Sequence, residues 1–450
     1  MKVNLSIFKS RDIRGIYPQD LNEEAAFKIG QAFADYTEAK TIVVGQDMRI
    51  SSPELFESLT RGIVSRGRTV YNIGIIPTEC LYYAVGHYQY EAGIVITASH
   101  NPKEYNGFKM IQNIKGSIEL IAGKDLLDLV KKDDFKKTDR PGTIEELDIW
   151  QDYINHIFSF IEINKIKPFR VVIDAGNGMA GKVIPLIKER LPIEIIPLNF
   201  KLDGNFPAHP SNPLEPGSTD RISEEVKNQK ADFGFIFDGD ADRIFLIDEL
   251  GDFIKGDITL LLLAKYFLEK DSQKGIAYNL ICSKAVPEFI KKWQGVPIRT
   301  AVGVINVRKG ILDNDGIMGG ELSGHYLFKD NFCLDSGFIS FLILLQIISE
   351  SDQKISEITK ELALYAKGAE ISFEVEDKEG IINMIKEKYS DGKQDYLDGL
   401  TVEYSDWWFN FRPSNTEPLF RLTVEADNQK LLKEKQKELS SLIKKLTLSF

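Results

Sequence analysis

Cysteine is scarce in this sequence: three in 450 residues, at positions 80, 282 and 333. They lie far apart, no C-x-x-C pair exists and the count is odd. That argues against a disulfide framework and for a reducing compartment. Long apolar runs are also missing. The longest, 258–264 and 338–348, fall short of the ~20 residues a membrane span needs, and Ser340 and Gln346 interrupt the second. Both read as buried helices. The opening segment, MKVNLSIFKSRD, lacks the apolar core of a secretory signal, so the expected address is cytoplasmic. There is no basic excess: 56 Lys and Arg against 67 Asp and Glu leave a net charge of −11. That excludes a general nucleic-acid or anionic-membrane binder, yet leaves room for a local basic pocket for a phosphate. Low-complexity tracts are absent too.

What is present is the composition of a soluble folded chain, 43% apolar and 27% charged. At ~150 residues per domain the length allows two to four domains. Short β-branched runs at 41–44 (TIVV), 94–97 (IVIT), 170–173 (RVVI) and 233–237 (FGFIF) read as buried strands. Helix-like amphipathic stretches at 21–36, 53–65 and 223–230 alternate with them, which predicts α/β layers with parallel or mixed sheets. Charged or turn-rich steps at 131–146, 249–257 and 349–368 divide the chain into four pieces. The last piece ends in 428–446, where Leu431, Leu432, Leu439, Leu442, Ile443 and Leu446 follow helical spacing. It reads as a helix packed on its own domain.

The sharpest chemistry is Asp238-Gly239-Asp240-Ala241-Asp242-Arg243, directly after FGFIF. Three carboxylates at alternate positions repel one another unless a cation neutralises them. Hard divalent ions prefer oxygen ligands, so Mg²⁺ or a similar ion is implied. An EF-hand is excluded, because its sixth position is Arg243 rather than Gly and both flanks read as strands. A second segment, 174–182 (DAGNGMAGK), mimics nucleotide loops. Position 183 is Val, which cannot ligate Mg²⁺, and Asp174 would face a pyrophosphate with like charge. A tight strand-to-helix turn is the better reading there.

Three further loops carry functional side chains. In 97–102 (TASHNP), Ser99 beside His100 forms no hydrolase triad, since neighbouring side chains diverge and no G-x-S-x-G exists. Spacing alone allows a plain turn or a phosphoryl acceptor at Ser99. In 319–325 (GGELSGH), glycines flank Glu321, Ser323 and His325, a set suited to sugar hydroxyls. In 412–418 (RPSNTEP), with Arg421 nearby, a guanidinium, hydroxyls and an amide suit a phosphate dianion.

Taken together, TASHNP, DGDADR, GELSGH and RPSNTEP, in that order, resemble the α-D-phosphohexomutase superfamily, in its phosphomannomutase/phosphoglucomutase branch. DIRG at 12–15, YNGFK at 105–109, DAGNG at 174–178 and DGNFP at 203–207 support it. The resemblance spans nearly the whole chain. It implies an α/β fold of three related domains with mixed four-stranded sheets, plus a smaller C-terminal α+β domain of the TATA-box-binding-protein-like type, around a central cleft. The expected domains are 1–148 with the phosphoserine loop, 149–253 with the metal loop, 254–367 with the sugar-binding loop, and 368–450 with the phosphate-binding loop.

By position, the resemblance implies that Ser99 carries the phosphoryl group and that Asp238, Asp240, Asp242 and a phosphoserine oxygen hold Mg²⁺. It makes Arg14 and Lys109 the acid/base pair, with His100 flanking the serine. Lys109, with a pKa lowered near the metal, is the preferred proton carrier, because arginine stays charged. Glu321, Ser323 and His325 would read the sugar, and Arg412, Ser414, Asn415, Thr416 and Arg421 would clamp the distal phosphate. Arg243 adds a basic group at the metal loop. The activity implied is interconversion of hexose 1-phosphate and hexose 6-phosphate, mannose and/or glucose, with hexose 1,6-bisphosphate as activator. Small sugar phosphates are the expected partners, not nucleic acid or membrane, for a monomer or weak homodimer. Leu322 and Asn415 match the mannose/glucose mutases. The alternatives are a phosphoglucosamine mutase or a catalytically weak phosphosugar-binding protein. Arg11, Gln46 and Val304 depart from the family's usual residues.

Overall fold

The structure, a computed structural model, describes residues 3–135, 138–375, 378–414 and 419–447. They form two compact units: Met1–Lys255 with Ser323–Ser356, and Gly256–Leu322 with Glu357–Phe450.

The first unit holds two sheets. At the heart of the first lie four strands in the order Tyr105–Ile114, Ala92–Ile96, Thr41–Gln46, Thr69–Ile75. The last three run parallel, while Tyr105–Ile114 is antiparallel to Ala92–Ile96. Ala92–Ile96 is buried along its whole length, as expected of a strand covered on both faces. Three edge additions bring this sheet to seven strands rather than the expected four. Ile13–Ile16 and Ser117–Ile121 each pair with Tyr105–Ile114, and Ile144–Glu146 extends the far edge beside Thr69–Ile75. Helix Glu23–Thr37 is launched by Asn22, whose side chain accepts from the Ala25 backbone N–H at 3.0 Å. It packs its buried alanines, Ile29 and Phe33 into the core under this sheet.

The second sheet runs Ile244–Ile247, Phe233–Phe237, Arg170–Asp174, Glu194–Leu198. Its last three strands are parallel, and Ile244–Ile247 returns antiparallel from the acidic loop. It is the mixed four-stranded sheet expected. Helix Gly337–Glu350 explains the apolar run: Phe338 stacks on Phe237 at 5.3 Å and Phe341 meets Phe235 edge-on at 5.1 Å. Each fully buried Leu, Ile or Phe contributes about 1.5–3 kcal/mol. The polar interruptions are satisfied internally. Ser340 donates to the Ser336 carbonyl at 2.6 Å, and the Gln346 carbonyl accepts from the Glu162 backbone N–H at 2.8 Å.

Glu79, on helix Thr78–His87, caps this buried helix. Its carboxylate accepts from the Ser336 hydroxyl and from the Phe338 backbone N–H at 3.3 Å. Burial pushes its pKa from 4.5 to about 8, against the pull of those hydrogen bonds. The folded state therefore keeps a proton that the unfolded chain loses between these two values, and stability falls as pH rises through that window. Glu79→Gln is expected to flatten this slope, removing a loss on the order of 4 kcal/mol between pH 5 and pH 8. Urea unfolding at both pH values checks it; an unchanged slope refutes the assignment.

In the second unit, strands Val296–Thr300, Gly275–Asn279 and Gly316–Gly320 lie parallel in that order. Helix Gly256–Lys270, the other apolar run, is buried. The C-terminal part is an antiparallel sheet ordered Ala366–Lys367, Leu419–Ala426, Trp407–Pro413, Leu400–Glu403, Lys393–Asp395, with Ile371–Glu374 also pairing with Leu419–Ala426. Helix Gln429–Thr447 buries Leu432, Leu439 and Ile443 in the sheet's core, as its spacing predicts. Among the described residues no helix is long and apolar enough to cross a membrane, and the three cysteines are buried and form no disulfide.

Candidate active site

Strand Phe233–Phe237 ends just before Asp238 and its antiparallel partner begins at Ile244, so the intervening loop is tied at both ends. Asp238, Asp240 and Asp242 are each at most 1% exposed. One carboxylate oxygen from each lies within 4.8 Å of the others. Burying three like charges is costly, and the effect is visible in their proton affinities. Burial, then Asp242 and Asp240, push Asp238 well above the usual carboxylate range. Asp240 also feels burial, but the neighbouring Lys109 outweighs it and holds the group low. Oδ1 of Asp240 and Oδ1 of Asp242 are buried without a hydrogen-bond partner. Unpartnered hard oxygens converging in a buried cluster fit a divalent cation. The triad is thus compatible with a metal ion.

Ser99 meets this cluster. It follows strand Ala92–Ile96, is 3% exposed, and has a backbone φ of 51°, a left-handed conformation unusual for serine. Its Oγ donates to Asp238 Oδ2 at 3.1 Å and lies 3.1 Å from His100 Nδ1. Burial, followed by Arg243 and Arg14, holds His100 well below its ordinary pKa, so its imidazole is neutral.

Arg49 secures the strained loop. Its Nη2 donates to the carbonyls of Ser99 and Asn101, both at 2.7 Å, and its Nη1 to those of Pro102 at 2.8 Å and Tyr105 at 3.0 Å. Asp47 balances the charge, 3.3 Å from Nε, with both side chains fully buried. Lysine cannot span this fan of acceptors. Arg49→Ala is expected to destabilise the fold by about 3–5 kcal/mol, because Asp47 is left buried and unpaired. Chemical denaturation checks it, and a loss under about 1 kcal/mol contradicts the role.

The glycine between the first two aspartates is a steric requirement. A Cβ at Gly239 would lie 2.7 Å from the Ser99 carbonyl oxygen, and one at Gly178 would lie 2.5 Å from the Gly239 carbonyl oxygen. Gly178 belongs to the nucleotide-like segment. That segment is a turn between strand Arg170–Asp174 and helix Ala180–Ile187, and it backs onto the acidic loop, with the Met179 N–H donating to the Gly239 carbonyl at 2.9 Å.

The basic residues divide. Lys109, on strand Tyr105–Ile114, reaches Asp240 Oδ2 at 2.7 Å and Asp242 Oδ2 at 2.5 Å. Burial alone would lower its pKa, but those two carboxylates outweigh it and raise the ammonium well above its ordinary value. This direction belongs to the site without an ion, where the aspartate charges face Lys109 directly. Arg14, on strand Ile13–Ile16 opposite Gly107, ion-pairs with Asp12 and donates to Asn101 Oδ1 at 2.5 Å. Arg243 donates through Nε to His325 Nε2 at 2.9 Å, while His325 Nδ1 lies 2.6 Å from Asp335 Oδ2. That pairing puts the imidazole proton on Nδ1. Ser323 is half-buried in the same unit.

The second unit carries the other expected residues. Glu321, 3% exposed, accepts from Asn279 Nδ2 at 2.9 Å and from the Gly303 backbone N–H at 2.6 Å, beside half-buried Val304. Arg412 and Arg421 stand opposite each other on strands Trp407–Pro413 and Leu419–Ala426. The Ser414 N–H donates to the Leu419 carbonyl at 2.7 Å. Asn415 and Thr416 lie outside the described residues.

Sequence reasoning gave no role to several residues in these clusters. Thr78 donates to Asp240 Oδ2 at 2.5 Å from a helix with no motif. Asp335 and Glu370 likewise stand outside every motif, and Arg49 had no role assigned.

Comparison with known proteins agrees with this geometry. Four family models match in sequence order: phosphoglucomutase/phosphomannomutase alpha/beta/alpha domain I over residues 5–137, domain II over 151–251, domain III over 255–365, and the C-terminal domain over 370–442. A phosphomannomutase of Vibrio cholerae is 36% identical, over 98% of this chain and 99% of its own. One of Methanocaldococcus jannaschii is 36% identical, over 99% of each. The crystal structure of a phosphoglucomutase/phosphomannomutase family protein from Burkholderia thailandensis superposes with a TM-score of 0.89 at 30% identity, covering 98% of each chain.

Proposed function

Since the chain belongs to the phosphoglucomutase/phosphomannomutase family and is a hexose-phosphate mutase, we propose that Ser99 is its phosphoryl carrier. One observation carries the assignment: a strained, buried serine whose Oγ touches the first of three buried, converging aspartates. Asp238, Asp240 and Asp242, with an oxygen of the serine-borne phosphate, would hold Mg²⁺. When bound, that ion neutralises charge on the phosphoserine and on the transferring group.

The rest is the work of side chains. A hydroxyl of the sugar attacks phosphorus, the bond from phosphorus to Ser99 Oγ breaks, and the hydroxyl's proton leaves as the new ester forms. Ser99 Oγ is reprotonated, giving a bisphosphorylated sugar. After the sugar turns end for end, Ser99 takes back the other phosphoryl group and the product hydroxyl regains a proton. Lys109 and Arg14 are the proposed acid/base pair, passing the attacking hydroxyl's proton on to Ser99 Oγ as its bond to phosphorus breaks; Lys109 lies 2.7 Å from Asp240 Oδ2 and 2.5 Å from Asp242 Oδ2. His100 Nδ1 flanks Ser99 Oγ at 3.1 Å. Arg243 and His325 form a hydrogen-bonded pair for the sugar, with Glu321 and Ser323 as further sugar contacts. Arg412, Ser414, Asn415, Thr416 and Arg421 would bind the distal phosphate.

Mannose and glucose phosphates are the proposed substrates, on the spelling of Leu322 and Asn415. Neither a phosphoglucosamine mutase nor a weak binding protein is favoured beside relatives named phosphomannomutase. Hexose 1,6-bisphosphate would rearm an unphosphorylated serine. A cytoplasmic monomer or weak homodimer completes the reading. Steady-state rates with mannose 1-phosphate and glucose 1-phosphate under Mg²⁺ test it. Turnover of at least one to its 6-phosphate is expected, and turnover of neither defeats the substrate assignment.

A further inference from the structure

We infer that Glu370 is a positioning residue for the phosphate clamp, its one carboxylate holding the guanidiniums of Arg412 and Arg421 together so that both serve a single dianion. This deepens the reading above and rests on Arg412 and Arg421 being that clamp. The two arginines are directly opposite on antiparallel strands, Arg412 against Arg421. Like charges in that register repel. Arg412 is also only 4% exposed, and a guanidinium buried without a counter-charge is costly. The pair therefore needs an anion to be stable before any substrate arrives.

Glu370 supplies it. It immediately precedes strand Ile371–Glu374, whose Ser372 pairs with Arg421, and that register brings it to both arginines. Oε2 lies 2.7 Å from Arg412 Nη2 and Oε1 lies 3.0 Å from Arg421 Nη1. Thr423 Oγ1 donates to Oε2 at 3.4 Å. Each oxygen takes a different arginine, so the carboxylate is a bridge rather than a cap on one of them. With two guanidiniums to one carboxylate, the trio keeps a net positive charge for a phosphate dianion. Forked donors fixed beforehand bind a phosphate with less ordering than mobile ones.

Initial rates on the full chain with Mg²⁺ and each hexose 1-phosphate separate the possibilities. Glu370→Gln is expected to raise KM about tenfold with kcat held within about threefold. Glu370→Asp should recover most of the loss, and Thr423→Val should raise KM about twofold. Arg412→Ala and Arg421→Ala test the clamp itself, with KM rising tenfold or more. If the arginine variants leave KM unchanged, the clamp reading fails. If they raise it while Glu370→Gln leaves KM unchanged, lowers it, or reduces only kcat, the inference about Glu370 fails alone. Should Glu370→Gln not fold, the KM of Thr423→Val decides, and no rise counts against the bridge.

Discussion

Ser99→Ala is expected to lower kcat by ~10⁴-fold or more, because Ser99 Oγ is the proposed carrier at Asp238, while the nearby Thr78 and Thr97 hydroxyls are engaged with Asp240 Oδ2. The fold should survive, since the side-chain contacts of the lost hydroxyl are Asp238 and His100. Sugar-phosphate binding should stay within a few-fold, which isothermal titration reads. Intact mass gives a second, independent measurement. The wild-type chain incubated with hexose 1,6-bisphosphate gains ~80 Da, and the variant does not. Near-normal turnover in the variant removes Ser99 from the mechanism, and an adduct in the variant moves the carrier elsewhere.

The second large effect belongs to Asp240. Its Oδ2 accepts from Lys109 at 2.7 Å and Thr78 at 2.5 Å, while Oδ1 is buried without a partner. Asp240→Asn keeps the shape and removes the charge. It deprives a bound cation of a ligand and Lys109 of an ion-pair partner at once. A fall in kcat of roughly 100-fold or more is expected, with weaker Mg²⁺ binding by titration. In the wild type a chelator should abolish turnover and added Mg²⁺ should restore it. Turnover of the variant within threefold of the wild type, at the same Mg²⁺ dependence, contradicts the metal role.

What could be read from the sequence followed one physical rule. The aspartates at 238, 240 and 242 stood out because they follow a strand end, where local chain geometry and chemistry coincide, whereas Ser99, also just past a strand, was singled out only by the family resemblance. The burial of helix Gly337–Glu350 was legible from its apolar run, whereas the sheet that covers it was not. Strand Ile144–Glu146 escaped notice because its three residues are exposed and lie in a charged stretch. Thr78 and Asp240 are 162 residues apart, and Glu370 meets Arg412 from 42 residues away. Such partners are created by strand order and register, which no local pattern encodes. The proton affinity of Lys109 in the ion-free site is of the same kind. Its sign depends on how close the fold brings Asp240 and Asp242, and they lie at 2.7 and 2.5 Å.

The two glycines at 178 and 239 let three backbone segments stack beneath the proposed carrier serine. Main chain lies against main chain from the Asp174 turn through the acidic loop to the serine loop, with no room for even a methyl group between them. The donor oxygen and the carboxylates opposite it thus behave as one stiff anvil. In the proposed cycle, reversal of the sugar between half-reactions then falls to the ligand rather than to these loops.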